Sequence, residues 1–451
     1  MRILRRPAGL YGFTIVSLGQ FVSFVGTGMT RFALTYWAWE VTGQATALAM
    51  VAFFSFAPAV VFSPLAGVIV DRVSRKTVMI ASDLAAGLST IAILILHLTG
   101  HLEIWHLYAA GFFAATFESF QFPAYSAAIT TMVDKKHYAR ANAMLGLAGS
   151  ASGIIAPMLA GFFFAVLGID GIMAIDIVTF LVAVGTLLLV VIPNPKETEV
   201  GRASRGGVLS ESLFGLRYIV GNRSLLGLQS VFFAINFVAT FGFTVLAAMI
   251  LARTGSDKVI LGTVQAAFGV GGVVGGILMS IWGGPKRRVH GVLLGMVGGS
   301  LLGHVVLGLG RGPLMWSIGA FFAMFFIPLI NGSNQAIWQA KISPDIQGKV
   351  FAARRMIAQI STPIAMLIAG PLADRLFGPG MAPDGALARV FGPIVGTGPG
   401  AGMGLMFVFA GLLGALVGLA GYLFRAVRNA EDLLPDHDAV PLCPEETVAE
   451  A

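Results

Sequence analysis

Twelve long stretches with almost no charge dominate this chain, and each exceeds the roughly 20 residues that a helix needs to cross a lipid bilayer. They run over Tyr11–Trp39, Thr46–Val70, Thr77–Leu98, Ile104–Met132, Ala141–Leu167, Gly171–Ile192, Leu225–Leu251, Val259–Trp282, Val289–Leu309, Leu314–Ala340, Val350–Leu376 and Gly402–Phe424. Only 11% of residues are charged and 56% are hydrophobic, whereas a water-soluble domain carries about a quarter charged residues. Backbone groups in hydrocarbon must be satisfied within the chain, and the stretches lack the alternation of barrel strands, so they read as helices. The 58 glycines suit helices packed backbone to backbone. Met1–Arg6 followed by an apolar run has the outline of a signal peptide, but the run is too long and has no A-x-A-like cleavage site, so it reads as a first spanning helix.

Lysine and arginine set the orientation. With the N-terminus inside, 23 of the 29 basic residues fall on the inner side and 5 on the outer, with Arg31 within a helix. The positive-inside rule then places both termini in the cytoplasm of a multi-pass cell-membrane protein. The basic residues are scattered between apolar runs, so the net charge of +7 reads as topology and not as a nucleic-acid partner. The chain divides into a six-helix bundle over 1–193, a linker over 194–223 and a second six-helix bundle over 224–428. A polar, acidic tail over 429–451 is expected to be disordered. In the linker, Leu209, Leu213, Leu216 and Val220 form a helical stripe beside Arg217 and Arg223, the pattern of a helix lying on membrane lipid.

The halves echo each other at an offset near 210 residues: Ala156-Pro-Met-Leu-Ala-Gly161 in the fifth segment matches Ala365-Met-Leu-Ile-Ala-Gly370 in the eleventh. After the second segment stands Gly67-Val-Ile-Val-Asp71-Arg72-Val-Ser74-Arg75-Lys76, and after the eighth a counterpart with Gly276, Gly283 and Lys286-Arg-Arg288, in which Ser280 replaces the Asp. Duplicated halves place a substrate cavity between them near the midplane.

Twelve helices in two halves, with Gly-x-x-x-Asp-Arg-x-x-Arg-Lys after the second, resemble the major facilitator superfamily. The likeness spans Tyr11 to Phe424, with Ser74 where the usual pattern has Gly. It implies an all-α membrane protein of twelve transmembrane helices in two pseudo-symmetric six-helix bundles, moving a small molecule by alternating access. It also implies that the loop (Gly67, Asp71, Arg72, Arg75, Lys76) is a conformational latch, and a plain topology anchor is the alternative. Asp83, two turns past Lys76, is expected to serve the same cluster.

In this superfamily antiporters carry Gly-Pro-x-x-Gly-Gly in the fifth helix. Gly153, Ala156, Pro157, Ala160 and Gly161 resemble that pattern with Ala at two Gly positions, and ordinary small-residue packing is the competing reading. Phe122-Pro-Ala-Tyr-Ser126-Ala-Ala-Ile-Thr-Thr-Met-Val133, then Ala141-Asn142-Ala143, resemble the subgroup of macrolide-efflux and siderophore-export proteins.

A charge within the bilayer costs on the order of 2.5–3.5 kcal/mol, so each one needs a reason. Glu118 lies near the middle of the fourth segment between Phe117 and Phe120, where a carboxyl group could carry a coupling proton. Arg31 and Asp176 lie at depths that differ by only about 3 Å, which makes them the expected ion pair. The axial offset from Arg31 to Glu118 is roughly 9 Å. Tyr36, Trp37, Gln121, Asn236, Asn331, Asn334, Gln335 and Trp338 occupy the first, fourth, seventh and tenth segments, which by resemblance line the cavity. Aromatics with few fixed charges suit a bulky amphipathic substrate. His97, His101, His106 and Glu103 cluster near one loop, but Gly100 interrupts any helical ligand spacing, and no metal is expected. The single Cys443 excludes a disulfide framework within one chain. No Walker-type loop, H-E-x-x-H or paired catalytic carboxylates are present, which argues against an enzyme or ATPase, so coupling comes from an ion gradient or from the substrate gradient alone. The leading expectation is a proton-coupled exporter of a small amphipathic molecule, working as a monomer on a proton gradient with no cofactor. The remaining alternatives are an importer of the same fold and a polytopic protein that does not transport.

Overall fold

In the computed structural model, residues 9–133, 138–193, 208–342 and 347–434 are described. Their side chains are described except at 63–72, 122, 126–127, 130, 138–151, 208–214, 347–349 and 352. Among the described residues there is no strand. Ten helical runs are long and apolar enough to cross a membrane. In the first half of the chain the helices are α1 (Gly9–Thr42), α2 (Ala45–Arg72), α3 (Arg75–Leu98), α4 (Ile104–Met132) and α5 (Tyr138–Leu189).

The 52 residues of α5 would make an unbroken rod roughly 78 Å long, more than twice the hydrocarbon thickness of about 30 Å. Gly168 breaks it, at φ 67° and ψ −170°, a conformation that only glycine adopts freely. Both arms then lie along α1, since Gly28 faces Ala156 of the first arm and Gly26 faces Asp176 and Thr179 of the second. With α4 and this fold-back, the described helices accommodate the twelve crossing-length segments read from the sequence.

After residue 207 come α6 (Val208–Gly221), α7 (Arg223–Thr244), α8 (Leu246–Thr254) and α9 (Lys258–Trp282). The next span starts as α10 (Arg288–Gly298), widens into a π-helical stretch at Gly299–Val305 and ends as α11 (Val306–Leu309). Beyond it lie α12 (Pro313–Phe325), α13 (Ile327–Lys341), α14 (Gln347–Leu372) with a second π-helical turn at Ala373–Phe377, α15 (Ala388–Val395) and α16 (Ala401–Leu423). Capping side chains mark the starts. Asn222 accepts the Ser224 and Leu225 amides, and Asp257 accepts those of Val259 and Ile260.

Large apolar side chains cover the outside: Leu423 is 82% exposed, Ile281 79% and Val61 68%. Such a belt has no place in water and matches acyl chains. Across the two halves, α2 packs on α14 and the first arm of α5 packs on α9. At the second seam a Cβ on Gly262 would stand 2.7 Å from the carbonyl oxygen of Pro157, so only glycine lets the backbones approach.

In α6 the buried positions among the described residues are Gly215 and Ile219, four residues apart, and Val220 of the expected lipid-facing stripe is 61% exposed. Leu209, Leu213 and residues 194–207 lie outside the described set. The start of the tail is folded: residues 430–433 form a helical turn whose Glu431 carboxylate accepts the Val289 amide at 3.0 Å, while Asp432 pairs with Arg287 at 3.0 Å. Lys341 Nζ donates to the carbonyls of Glu431 and Leu434. Acidic groups thus reach the basic segment that follows α9, where the chain has Ser280 at the position of the Asp in the first half. Residues 435–451 lie outside the described set.

Candidate functional site

Arg31 projects from α1 and Glu118 from α4. Nη2 of the arginine stands 3.5 Å from Oε2 of the glutamate, and the two side chains remain 60% and 57% exposed. The pair borders a cavity of about 490 Å³ walled by Phe24, Thr27, Gly28, Phe32 and Thr35 of α1, by Ser152, Gly153, Ala156 and Pro157 of α5, and by Gln265 of α9. It also borders a second space of about 100 Å³ that opens toward Ser55 of α2 and Ser89 and Thr90 of α3. A charged pair therefore stands where two hollows meet.

The expected partnership of Arg31 with Asp176 is not the one formed. Arginine is long enough to close the axial offset to Glu118. Asp176 is buried, 3% exposed, and accepts hydrogen bonds from Thr27 at 3.0 Å and Thr90 at 2.8 Å. Hydroxyls from two neighbouring helices thus solvate a carboxylate that water cannot reach.

Asp83 does not join the basic loop. It is 5% exposed, with one oxygen accepting Gln20 Nε2 at 2.7 Å and the other accepting Gln121 Nε2. Gln121 also donates to Gln20 Oε1, and beside them Tyr125 donates to Ser17 at 2.7 Å. Gln121 is therefore a structural link between α1, α3 and α4 and lines neither cavity. Of the loop itself, Arg75 donates to Thr131 at 3.2 Å, and Lys76 donates to the carbonyls of Leu188 and Val190 at 3.1 and 2.8 Å, a cation capping the C-terminal end of α5. The side chains of Gly67, Asp71 and Arg72 lie outside the described set.

The fifth-segment pattern does two things. Gly153, Ala156 and Pro157 line the larger cavity. Ala160 is buried, and at Gly161 a Cβ would come within 3.4 Å of the Lys258 carbonyl, so this end of the pattern packs against α9.

The other expected cavity residues lie elsewhere. Trp338 is fully buried and donates to Asn334 at 3.0 Å, with the Arg354 guanidinium 5.2 Å from its ring. Tyr36 packs edge-on to Phe164, and Trp37 stands edge-on to His97. Asn331 is exposed and Asn236 and Gln335 are half-buried, but none of the three borders either cavity. The loop histidines are dispersed: His97 bonds Asp170 at 2.6 Å, and His106 accepts the Glu103 amide as part of the cap of α4.

Sequence reasoning overlooked Phe24, Thr27, Gly28, Phe32, Thr35, Ser152 and Gln265. The α1 members were within reach, because positions 24, 27, 28, 31, 32 and 35 repeat at intervals of three and four around Arg31 and so share its face. Nothing local marks Gln265.

Comparison with known proteins agrees with this architecture. Residues 16–366 match the model of the Major Facilitator Superfamily. Macrolide efflux protein A of Streptococcus pyogenes is 25% identical over 368 residues, which cover 81% of this chain and 90% of that protein. Multidrug efflux pump Tap of Mycolicibacterium fortuitum is 23% identical over 382 residues, covering 82% of this chain and 90% of the pump. Among solved structures, a bacterial homologue of the human lysosomal transporter Spinster superposes with a TM-score of 0.66 at 16% identity, over 93% of this chain and 98% of that one. With its apolar helices, paired halves and matched length, this chain is an integral, multi-pass membrane transporter, not an enzyme, and it belongs to the Major Facilitator Superfamily.

Proposed function

We propose that this transporter exports a small amphipathic molecule in exchange for protons, as a monomer in the cell membrane with both termini cytoplasmic. The observation that carries the reading is the Arg31–Glu118 pair, exposed to a cavity bounded by both halves of the chain. Phe24, Phe32 and Pro157 offer apolar surface to an amphipathic ligand, and Thr27, Thr35 and Gln265 offer hydrogen-bonding groups. The macrolide and multidrug efflux proteins among its relatives support export, and a macrolide is the first substrate to test.

Chemically, Glu118 holds either Arg31 or a proton. When it takes a proton its charge is lost and the guanidinium is free to turn toward Asp176, which Thr27 and Thr90 hold in place. When the proton leaves, the 3.5 Å pair re-forms. Loading and unloading Glu118 thus changes how α1 is tied to α4 and to the second arm of α5, a local change of the kind that biases two arrangements of a bundle. In everted vesicles energised to an acid interior, the chain should accumulate a radiolabelled macrolide. Accumulation equal to that of vesicles lacking the chain would sink this reading.

A further inference from the structure

At the end of the bundle remote from the termini, α14 passes into its π-helical turn and delivers Asp374 to the first turn of α2. The carboxylate belongs to one half of the chain and its partners to the other. Oδ1 accepts the Ala45 amide at 3.0 Å, and Oδ2 accepts the Thr46 amide at 2.7 Å and the Thr46 hydroxyl at 2.5 Å. A helix start leaves its first amides unpaired and carries a partial positive charge, which a carboxylate satisfies well. α2 has no acidic residue in its own first turn, so Asp374 serves as its cap from across the seam.

One turn before Asp374, a Cβ on Gly370 would stand 2.7 Å from Thr46 Cα and 2.8 Å from Ala49 Cβ, so the two backbones touch. The second seam is shut at the same end. Lys258, the first residue of α9, places its ammonium 4.2 Å from the centre of the Phe164 ring and 5.2 Å from that of Tyr36. Rocking the halves apart at this end must draw α14 off α2 and remove all three bonds to Asp374 together.

We propose that Asp374 is a positioning residue for the transport cycle, a latch that holds the bundle closed at the end remote from the termini by capping α2 across the seam. It is distinct from the loop at Gly67–Lys76, which lies at the opposite end. The proposal rests on the transporter reading but not on proton coupling, since it concerns which end is open and not what drives the change.

The test measures that choice directly, without substrate or gradient. Cys443 is the one cysteine in the chain. On a Cys443→Ser background, spin labels at Gln44→Cys and Val390→Cys, both exposed, report the separation of the halves at this end by pulsed electron double resonance. The parent should give a dominant short distance. Asp374→Asn keeps the size but sets amide hydrogens against the α2 amides, and Asp374→Ala removes the cap. Each should raise the long-distance to short-distance ratio by about ten-fold, as expected when charge-assisted bonds are made in one state only. Thr46→Val, which deletes only the hydroxyl bond, should raise it by about three-fold. Asp374→Glu should recover part of the short population. An unchanged distribution in Asp374→Asn that elutes as a single folded species overturns the proposal, as does a fall in melting temperature with no change in the ratio.

Discussion

Replacing Glu118 with Gln separates a coupling role from a structural one, because the geometry gives the pair little structural weight. Two unit charges 3.5 Å apart attract by about 1.2 kcal/mol in a fully aqueous dielectric. With both side chains more than half exposed to a cavity, screening and side-chain entropy bring the net contribution to at most about 1 kcal/mol. For a chain of 451 residues that corresponds to a shift in melting temperature of no more than about 2 °C. Glutamine preserves the volume and an acceptor oxygen facing Arg31 but cannot carry a proton. The expected outcome is normal insertion, a melting temperature within about 2 °C of the parent, and loss of gradient-driven accumulation in everted vesicles. Arg31→Gln should also insert normally. In the proposed cycle it removes the partner that discharges Glu118, so counterflow exchange should fall along with gradient-driven uptake. Glu118→Gln with undiminished gradient-driven transport would refute the reasoning, and a large loss of folded protein would show that the pair is structural after all.

Other consequences follow from where the structure places residues. Trp338→Ala should cost about 3–5 kcal/mol through a cavity in the second-half core and reduce the folded yield. Asn331→Ala, at an exposed position, should leave melting unchanged. Lys76→Met removes the cation that caps the Leu188 and Val190 carbonyls and should destabilise by about 1 kcal/mol, read as a lower melting temperature. Glu431→Ala, which uncaps the Val289 amide, should cost about 1 kcal/mol. Asp432→Ala breaks a pair that is more than half exposed and should cost under about 0.5 kcal/mol. Gln265→Leu should leave stability intact and change the relative export of polar and apolar ligands, measured as a susceptibility profile.

The spanning segments were legible because length and absence of charge are read one residue at a time, and the bilayer permits few other structures. The break at Gly168 was legible in the same way, from an apolar stretch too long for a single crossing. Side-chain partnerships were not. These helices are apolar on nearly every face, so periodicity does not reveal which side meets a cavity, a neighbour or lipid. Asp83 lies two turns from Lys76 along the chain, yet it points inward to Gln20 and Gln121. The spacings Ser17–Gln20 and Gln121–Tyr125 show in retrospect that α1 and α4 present matching polar pairs to each other. Asn334 looked like a cavity residue because it is polar, but it is a hydrogen-bond partner for Trp338 one turn on. Asp374 gave no local sign of its role, since its partners lie more than 300 residues earlier in the chain.

The central claim is that substrate and proton cross in opposite directions through the site at Glu118. It is tested most directly by following proton movement itself in everted vesicles that hold an acid interior. Adding a transported macrolide should release protons, seen as recovery of a quenched pH-sensitive dye, from vesicles with the parent chain and not from those with Glu118→Gln. Macrolide uptake with no proton release, or equal release in both, would contradict the account.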